Sequence, residues 1–252
     1  MKKRSLITIF VRSFFIHTTL NFRRMQNLGF AYAMIPVLRE QHLPRMDEQE
    51  ILTRHLQMFN THPYLASSLI GSLSRMEEDR PEGGSASPVI MVKQSLMGPY
   101  AAIGDAFFWS ALRPCAGIIA AGLAWMSWIL APLTFMLIFT PVHIWVRLKG
   151  FLEGYRRGKQ GIEFIRKIDL PRIAVNVRWL SLMALSGFSI WFLCDTHLKF
   201  SGTFRLLLPP VVLSIILLCW FLVKKGVGQI YILYGTAILL LIISSMELIM
   251  WK

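Results

Sequence analysis

Apolar and polar positions split the chain into an interrupted N-terminal part and a C-terminal part of long apolar runs. Between Ser5 and about Leu20, the residues Leu6, Ile7, Ile9, Phe10, Phe14 and Phe15 surround Arg12. This is the pattern of a helix with a broad apolar face and a basic margin, which lies at a membrane interface or clasps a partner. From Asn21 to Glu40, a polar half with Asn21, Arg23, Arg24, Gln26 and Asn27 precedes an apolar half from Leu28 to Leu38. That apolar half is too short for a bilayer, which needs about 20 residues, so it is expected to be buried against another element. Pro36 is placed to kink or end it. Asp47 and Glu50 are spaced as a capping pair for the next helix, and Ile51, Leu52, His55, Leu56, Met58 and Phe59 extend its apolar face. Asn60-Thr61-His62-Pro63 stops that helix, and Tyr64 to Asp79 reads as helical again. Pro81 to Pro88 is a flexible linker by its turn residues.

Leu96 to Pro114 combines helix breakers (Gly98, Pro99, Gly104), large aromatics (Phe107, Phe108, Trp109) and one acid-base couple, Asp105 with Arg113. The breakers predict a broken or re-entrant helix. An acid at mid-bilayer costs about 2.5–3.5 kcal/mol, so Asp105 is expected to face a cavity or a partner. Broken helices around such residues are how many transporters build midplane sites. The alternative is an interfacial Asp105 paired with Arg113. Asn60 and His62 admit two readings as well, ligand contact or a helix cap with a local bond. For Asn21, Arg23, Arg24 and Gln26, sugar or partner contact and interfacial snorkelling both remain open. His55 and His62 lack a third ligand, so no metal is expected, and no cofactor.

Ala116 to Val146 carries no formal charge, with His143 its one near-neutral titrating group. It is long enough for one tilted span, while Pro132 and Pro141 allow a re-entrant hairpin instead. Arg147 to Arg178 is basic, with Glu153, Glu163 and Asp169 outnumbered by arginines and lysines. The positive-inside bias makes this a cytoplasmic loop. Gly150, Gly154, Gly158 and Gly161 mark either a close-packed helix face or a flexible linker. Three spans follow, Trp179 to Cys194, Leu206 to Val223 and Gly226 to Ser245, joined first by a short outer turn from Asp195 to Arg205. Lys224-Lys225 fits the cytoplasmic side, which leaves the C-terminus outside.

Composition agrees with this pattern. Of 252 residues, 54% are hydrophobic and 16% charged, against about 25% charged in a soluble domain. The net charge of +13 sits at the edges of apolar runs, which suits anionic lipid rather than nucleic acid. Cys115, Cys194 and Cys219 lie in or beside apolar runs and read as packing residues. Lys2-Lys3-Arg4 followed by Leu6 to Val11 imitates a signal peptide, but Arg12 interrupts it and no cleavage site follows, so it is expected to be retained. No nucleophile elbow, P-loop or zinc-protease motif is present.

The chain is therefore read as an all-α polytopic helical membrane protein in five parts. Residues 1–80 are amphipathic and interfacial helices, 81–88 the linker, 89–146 the broken-helix and first membrane region, 147–178 the basic cytoplasmic segment, and 179–252 three C-terminal transmembrane helices.

Three blocks carry a family resemblance. The first is Arg12-Ser13 with Asn21-Phe22-x-Arg24-Met25-Gln26-x-x-Gly29-Phe30 and Pro36; the second is His55-Leu56-x-x-Phe59-Asn60-Thr61-x-Pro63. The third is Leu96-Met97-Gly98-Pro99-x-Ala101-x-Ile103-Gly104-Asp105-x-x-Phe108-Trp109 with Arg113-Pro114. Together they resemble the IID subunit of mannose/fructose/sorbose-type sugar phosphotransferase systems. The resemblance implies a subunit of the bacterial inner membrane that pairs with a IIC subunit to form a hexose path. Phosphoryl transfer would belong to the IIA and IIB proteins, with the IID subunit non-catalytic and part of an oligomeric complex. Asn60, His62, Asp105 and Arg113 are then the candidates for the sugar path. Asn21, Arg24 and Gln26 are candidates for its support or for partner contact, and the basic segment for contact with IIB. The chain departs from the family pattern at Ala106, where a Pro is usual, at Ala102, where a Gly is usual, and in a short segment after Cys194. A membrane scaffold or sensor that keeps the fold without transporting is the alternative function.

Overall fold

The computed structural model describes residues 1–42, 44–81, 84–126, 129–194, 202–228, 230–232 and 234–238. Among these the chain is helical, with only two isolated bridges and no strand. It divides into two compact units, Met1–Phe188 and Ser189–Lys252.

The first unit is organised around α4 (Pro63–Glu78), which packs most extensively on α7 (Leu130–Arg157). Small residues allow this contact. Ala66, Ser67, Ser68, Gly71 and Ser72 on α4 are all buried, and Gly150 and Gly154 on α7 face them. A Cβ at Gly71 would stand 2.4 Å from the Phe151 carbonyl oxygen, and one at Gly154 the same distance from that of Ser68. Of the two readings of the glycine series, close packing is the one realised here.

α1 (Lys3–Ser13) and a 3₁₀ turn (Phe14–His17) pack on α2 (Asn27–Glu40) and α4. As expected, the apolar half of α2 is buried, with Phe30, Ala33, Met34 and Val37 inaccessible. Pro36 does not end it. Proline removes the N–H that would bond the carbonyl four residues back, that of Tyr32. Arg12 supplies the missing donor through Nη1 at 3.0 Å, while its guanidinium lies 4.3 Å from the Tyr32 ring centroid.

α3 (Arg45–His55) begins with Pro44 at its cap position, so Asp47 sits in the first turn and is not a capping residue. The helix stops at His55, so Met58 and Phe59 do not continue its face. Below α3, Glu77 is wholly buried, with Arg54 Nη2 at 3.2 Å, His55 Nε2 at 2.9 Å and Arg80 Nε at 3.2 Å.

Ser87 to Met126 is one uninterrupted helical run: α5 (Ser87–Gly104), a π-helical segment (Asp105–Leu112) and α6 (Arg113–Met126). The expected interruption is therefore a widened turn and not a gap. Gly98 and Pro99 stay helical, and the irregularity begins at Asp105, where Ser110 Oγ donates to the Asp105 carbonyl five residues back. The uncharged stretch 116–146 is divided between α6 and α7, which pack together as a hairpin. Ser87–Trp125 and Leu130–Gly161 are long and apolar enough to cross a membrane, and only 39% and 22% of their apolar windows are buried within the protein.

The basic segment is helical rather than an open loop. α7 runs to Arg157, and Gly158–Gly161 forms a 3₁₀ turn. α8 (Ile162–Ile168) follows, then α9 (Leu170–Cys194), which starts well before Trp179. Exposed Trp179, Leu180, Leu182 and Met183 on α9 give it an outward apolar surface.

In the second unit, α10 (Gly202–Lys224) ends with Lys224 and Lys225 folded back over the rings of Trp220 and Phe221. Residues 230–232 and 234–238 are helical. Most of the expected outer turn, the end of the third span and the C-terminus lie outside the described residues.

Candidate substrate-path site

The loop before α2 builds the support for the site. Met25 adopts a left-handed φ of 58° and forms bridges to Asn21 and Phe59. Asn21 fixes this turn: its amide donates to the Met25 carbonyl and to Asn27 Oδ1, and its Oδ1 accepts from the Arg24 N–H. Arg24 donates to the Leu56 carbonyl. Gln26 grips Thr61 on both sides, donating Nε2 to its carbonyl at 2.7 Å and accepting from its N–H at 3.1 Å. All three polar residues thus spend hydrogen bonds on this chain's own backbone. They hold residues 56–61 in place, with Asn60 half-buried between clamped neighbours.

His62 follows directly. It occupies the N-cap of α4 with an extended backbone, and Pro63 takes the first helical position, where its missing N–H costs nothing. The Tyr64 N–H donates to His62 Nδ1 at 3.3 Å, which makes this side chain the cap. Nδ1 is then an acceptor and Nε2 carries the proton. His62 Nε2 is buried without a hydrogen-bond partner, and Asp105 Oδ1 stands 3.9 Å away, about 1 Å beyond a hydrogen bond. The Asp105 side chain is 60% exposed. Gly104 makes this approach possible, because the His62 ring occupies the space where its Cβ would be.

Aromatic rings line the junction. His62 stacks on Phe108 at 5.1 Å and 15°, and Trp109 lies 5.1 Å from the imidazole. Tyr64 sits edge-on to both His62 and Phe108, at 5.0 and 4.9 Å. Arg113 does not pair with Asp105 among the described residues; its guanidinium stacks over Trp109 at 5.1 Å.

Burial, with the neighbouring charges of His17 and Arg147, pushes the His62 pKa down to about 3, so the imidazole is neutral at physiological pH. Its relation to Asp105 is that of a neutral donor beside a carboxylate, not an ion pair. Burial also raises the Tyr64 hydroxyl above its ordinary value. The site presents hydrogen-bonding groups between aromatic faces and holds no nucleophile next to a base.

Sequence reasoning missed Tyr64, Trp109, His17, His143 and Arg147. The sequence makes Arg147 the first residue of a basic cytoplasmic loop, yet it is 5% exposed, with Phe14 and Tyr64 rings 4.4 and 4.9 Å from its guanidinium. The signal available was the i, i+4 spacing of His143 and Arg147, which puts them on one face of a helix.

An all-α fold with two helices long and apolar enough to cross a membrane, and a polar site flanked by aromatic rings, suits a helical membrane protein. The family described as the PTS system mannose/fructose/sorbose family IID component matches over residues 1–249, and this chain belongs to that family. It is thus a membrane permease component of a mannose-family sugar phosphotransferase system. The fructose permease IID component of Bacillus subtilis (strain 168) is 30% identical over 189 residues, 74% of this chain and 69% of that protein. The mannose-specific EIID component of Escherichia coli (strain K12) is 36% identical over 60% of this chain and 54% of its own length. A sorbose-specific EIID component of Klebsiella pneumoniae is 36% identical over 61% and 57%. The chain thus matches little more than half the length of the last two relatives. A solved membrane protein superposes with a TM-score of 0.75 at 25% identity, covering 94% of each chain. A cryo-EM structure of the mannose transporter ManYZ with microcin E492 superposes at 0.60 and 27% identity, also covering 94% of each.

Proposed function

We propose that this chain is the non-phosphorylated subunit that joins a IIC-type subunit to form a hexose path coupled to phosphorylation. The observation that carries the reading is the convergence of two family motifs, with His62 Nε2 and Asp105 Oδ1 3.9 Å apart. An unsatisfied neutral donor beside a carboxylate suits a hydroxyl, which both accepts and donates. Trp109, Tyr64 and Phe108 supply the apolar faces that small-ligand sites combine with a few polar groups. Asp105 is more than half exposed, which leaves one side of the site for a second subunit to close. The ManYZ neighbour supports a two-subunit path by its likeness.

In this reading His62 and Asp105 contact the sugar, Arg113 and Asn60 border it, and Asn21, Arg24 and Gln26 support it. The protein lies in the bacterial inner membrane with its basic segment, residues 147–178, on the cytoplasmic side and its C-terminus outside. A cavity of about 420 Å³ between the ends of α4 and α7 is lined by Arg75, Arg80, Arg156, Arg157 and Lys159 among others. Asp79 lines it too, and the arginines are in part paired with Asp79, Glu77 and Glu153; in this reading it meets a cytoplasmic phosphocarrier of the IIB type, itself loaded by IIA. Phosphoryl transfer takes place on those partners.

Affinity purification from native membranes in mild detergent tests the reading. A stoichiometric multi-span partner, with saturable binding of unphosphorylated hexose by the pair, is the expected result. A chain that purifies alone and binds no sugar would favour a non-transporting scaffold.

A further inference from the structure

Three polar groups with unmet hydrogen bonds surround the ring of Tyr64. His143 stacks on it at 4.6 Å, His62 lies edge-on at 5.0 Å, and the Arg147 guanidinium stands 4.9 Å from its centroid. Arg147 Nε and Nη1, His143 Nδ1 and His62 Nε2 are all buried without a hydrogen-bond partner. Among the described residues no Asp or Glu is within ion-pair distance of Arg147, although its side chain is only 5% exposed. Phe14 and Tyr64 attract the cation through their ring faces but cannot accept its in-plane N–H bonds. A buried charge without a counter-ion is among the least favourable arrangements a fold can hold, and this one sits beside the candidate sugar path. A ligand from outside the chain resolves it.

We propose that Arg147, with His143 one turn before it on α7, is an oxyanion site that takes a phosphate group. Both groups lie on α7, one turn apart, while His62 Nε2 faces the Asp105 carboxylate instead. A planar carboxylate matches the guanidinium fork, and the additional oxygens of a phosphate leave acceptors for the His143 imidazole as well. Phe14, whose ring lies 4.4 Å from the guanidinium, is itself 40% exposed. Two sources carry this chemistry. Arg147 is the first charged residue after the uncharged stretch that ends at Val146, so a lipid headgroup phosphate can come from the surrounding bilayer, and a phosphorylated sugar would arise next to the path. The second source rests on the proposed function; the site itself does not.

The test uses the purified protein with its co-purified partner, and reads thermal stability. In detergent, inorganic phosphate and glucose 6-phosphate are titrated at constant ionic strength against chloride. In nanodiscs, phosphatidylcholine alone is compared with added phosphatidylglycerol. A saturable rise in Tm with the soluble phosphates identifies a free ligand, and a rise only with phosphatidylglycerol identifies a lipid headgroup. Either response should be lost in Arg147→Met and at least tenfold weaker in Arg147→Lys. Should Arg147→Met fail to fold, His143→Gln on the partly exposed side should weaken the response about threefold. No phosphate or lipid response in the wild type overturns the site, as does a response that Arg147→Lys and His143→Gln leave unchanged, or a partner carboxylate found on Arg147 in a structure of the complex. Binding of unphosphorylated mannose is measured in parallel. Its loss with the phosphate response intact would count against the sugar path and not against this site.

Discussion

Gly104 has no room for a side chain because His62 lies against it: a Cβ there would stand 2.2 Å from His62 Cγ and 2.3 Å from His62 Cβ. The glycine lets the end of α5 meet the start of α4, and this contact brings Asp105 to His62. Gly98, on the same helix, has nothing within 4 Å of its Cβ position. Gly104→Ala should therefore destabilise by at least the ~1–3 kcal/mol typical of overpacking. Gly98→Ala should be neutral or stabilise by up to ~1 kcal/mol through helix propensity. Thermal unfolding of the two variants in detergent checks this, and equal effects would contradict it.

Glu77 is ionised in a wholly buried position. Burial pushes its pKa up, but the close approach of His55 Nε2 and the charges of Arg54 and Arg80 hold it below the usual carboxylate value. Burial keeps His55 itself below its ordinary value, so the two arginines carry the counter-charge. Glu77→Gln strands them, and a loss of about 3–5 kcal/mol is expected. The stabilisation from Glu77 is present above pH 4.5 and disappears as pH falls through its depressed folded value. Denaturant titration of wild type and variant at pH 7 and pH 4 should show the gap between them narrowing at the lower pH.

His62 sets a second pH dependence. Unfolded, it takes a proton near pH 6.5; folded, it stays neutral down to about 3. The unfolded state binds more protons across that window, so stability falls as pH falls, by at most about 1.4 kcal/mol per pH unit for one group. His62→Gln should flatten the Tm–pH curve between pH 6.5 and 4.5, whatever constant offset the lost cap adds. Parallel curves for wild type and variant would refute a neutral buried imidazole.

Arg12 and Pro36 should be coupled. Arg12→Met leaves the Tyr32 carbonyl without its donor and should cost about 1 kcal/mol. Pro36→Ala restores an N–H able to bond that carbonyl, so the same Arg12→Met change in its background should cost less. A double-mutant cycle measures the difference, and strict additivity would show that Arg12 acts elsewhere.

Much of this architecture was legible because hydrophobic spacing reports burial and length directly. The buried half of α2 and the helix start after His62 follow from residue type and pattern, whereas α3 stops at His55, short of the expected Asn60–Pro63. Gly98 and Pro99 misled because a proline inside a long helix can be absorbed, and the widened turn begins instead at Asp105, directly after Gly104, the third of the expected breakers. The glycines of α7 could not be assigned because close packing depends on the serine-rich face of α4, more than seventy residues earlier. The burial of Arg147 is not legible for a related reason: its neighbours Phe14 and Tyr64 come from other elements. His62 and Asp105 were both singled out, but their separation of 3.9 Å is a property of the fold.

The most direct test of the central claim is phosphorylation-coupled uptake of labelled hexose by cells carrying Asp105→Asn, with membrane insertion and partner co-purification measured on the same cells. Asparagine keeps the size of Asp105 and removes the carboxylate that faces His62. Uptake reduced at least tenfold, with insertion and partner recovery unchanged, is the predicted result. Wild-type uptake by the variant would contradict the placing of Asp105 in the sugar path.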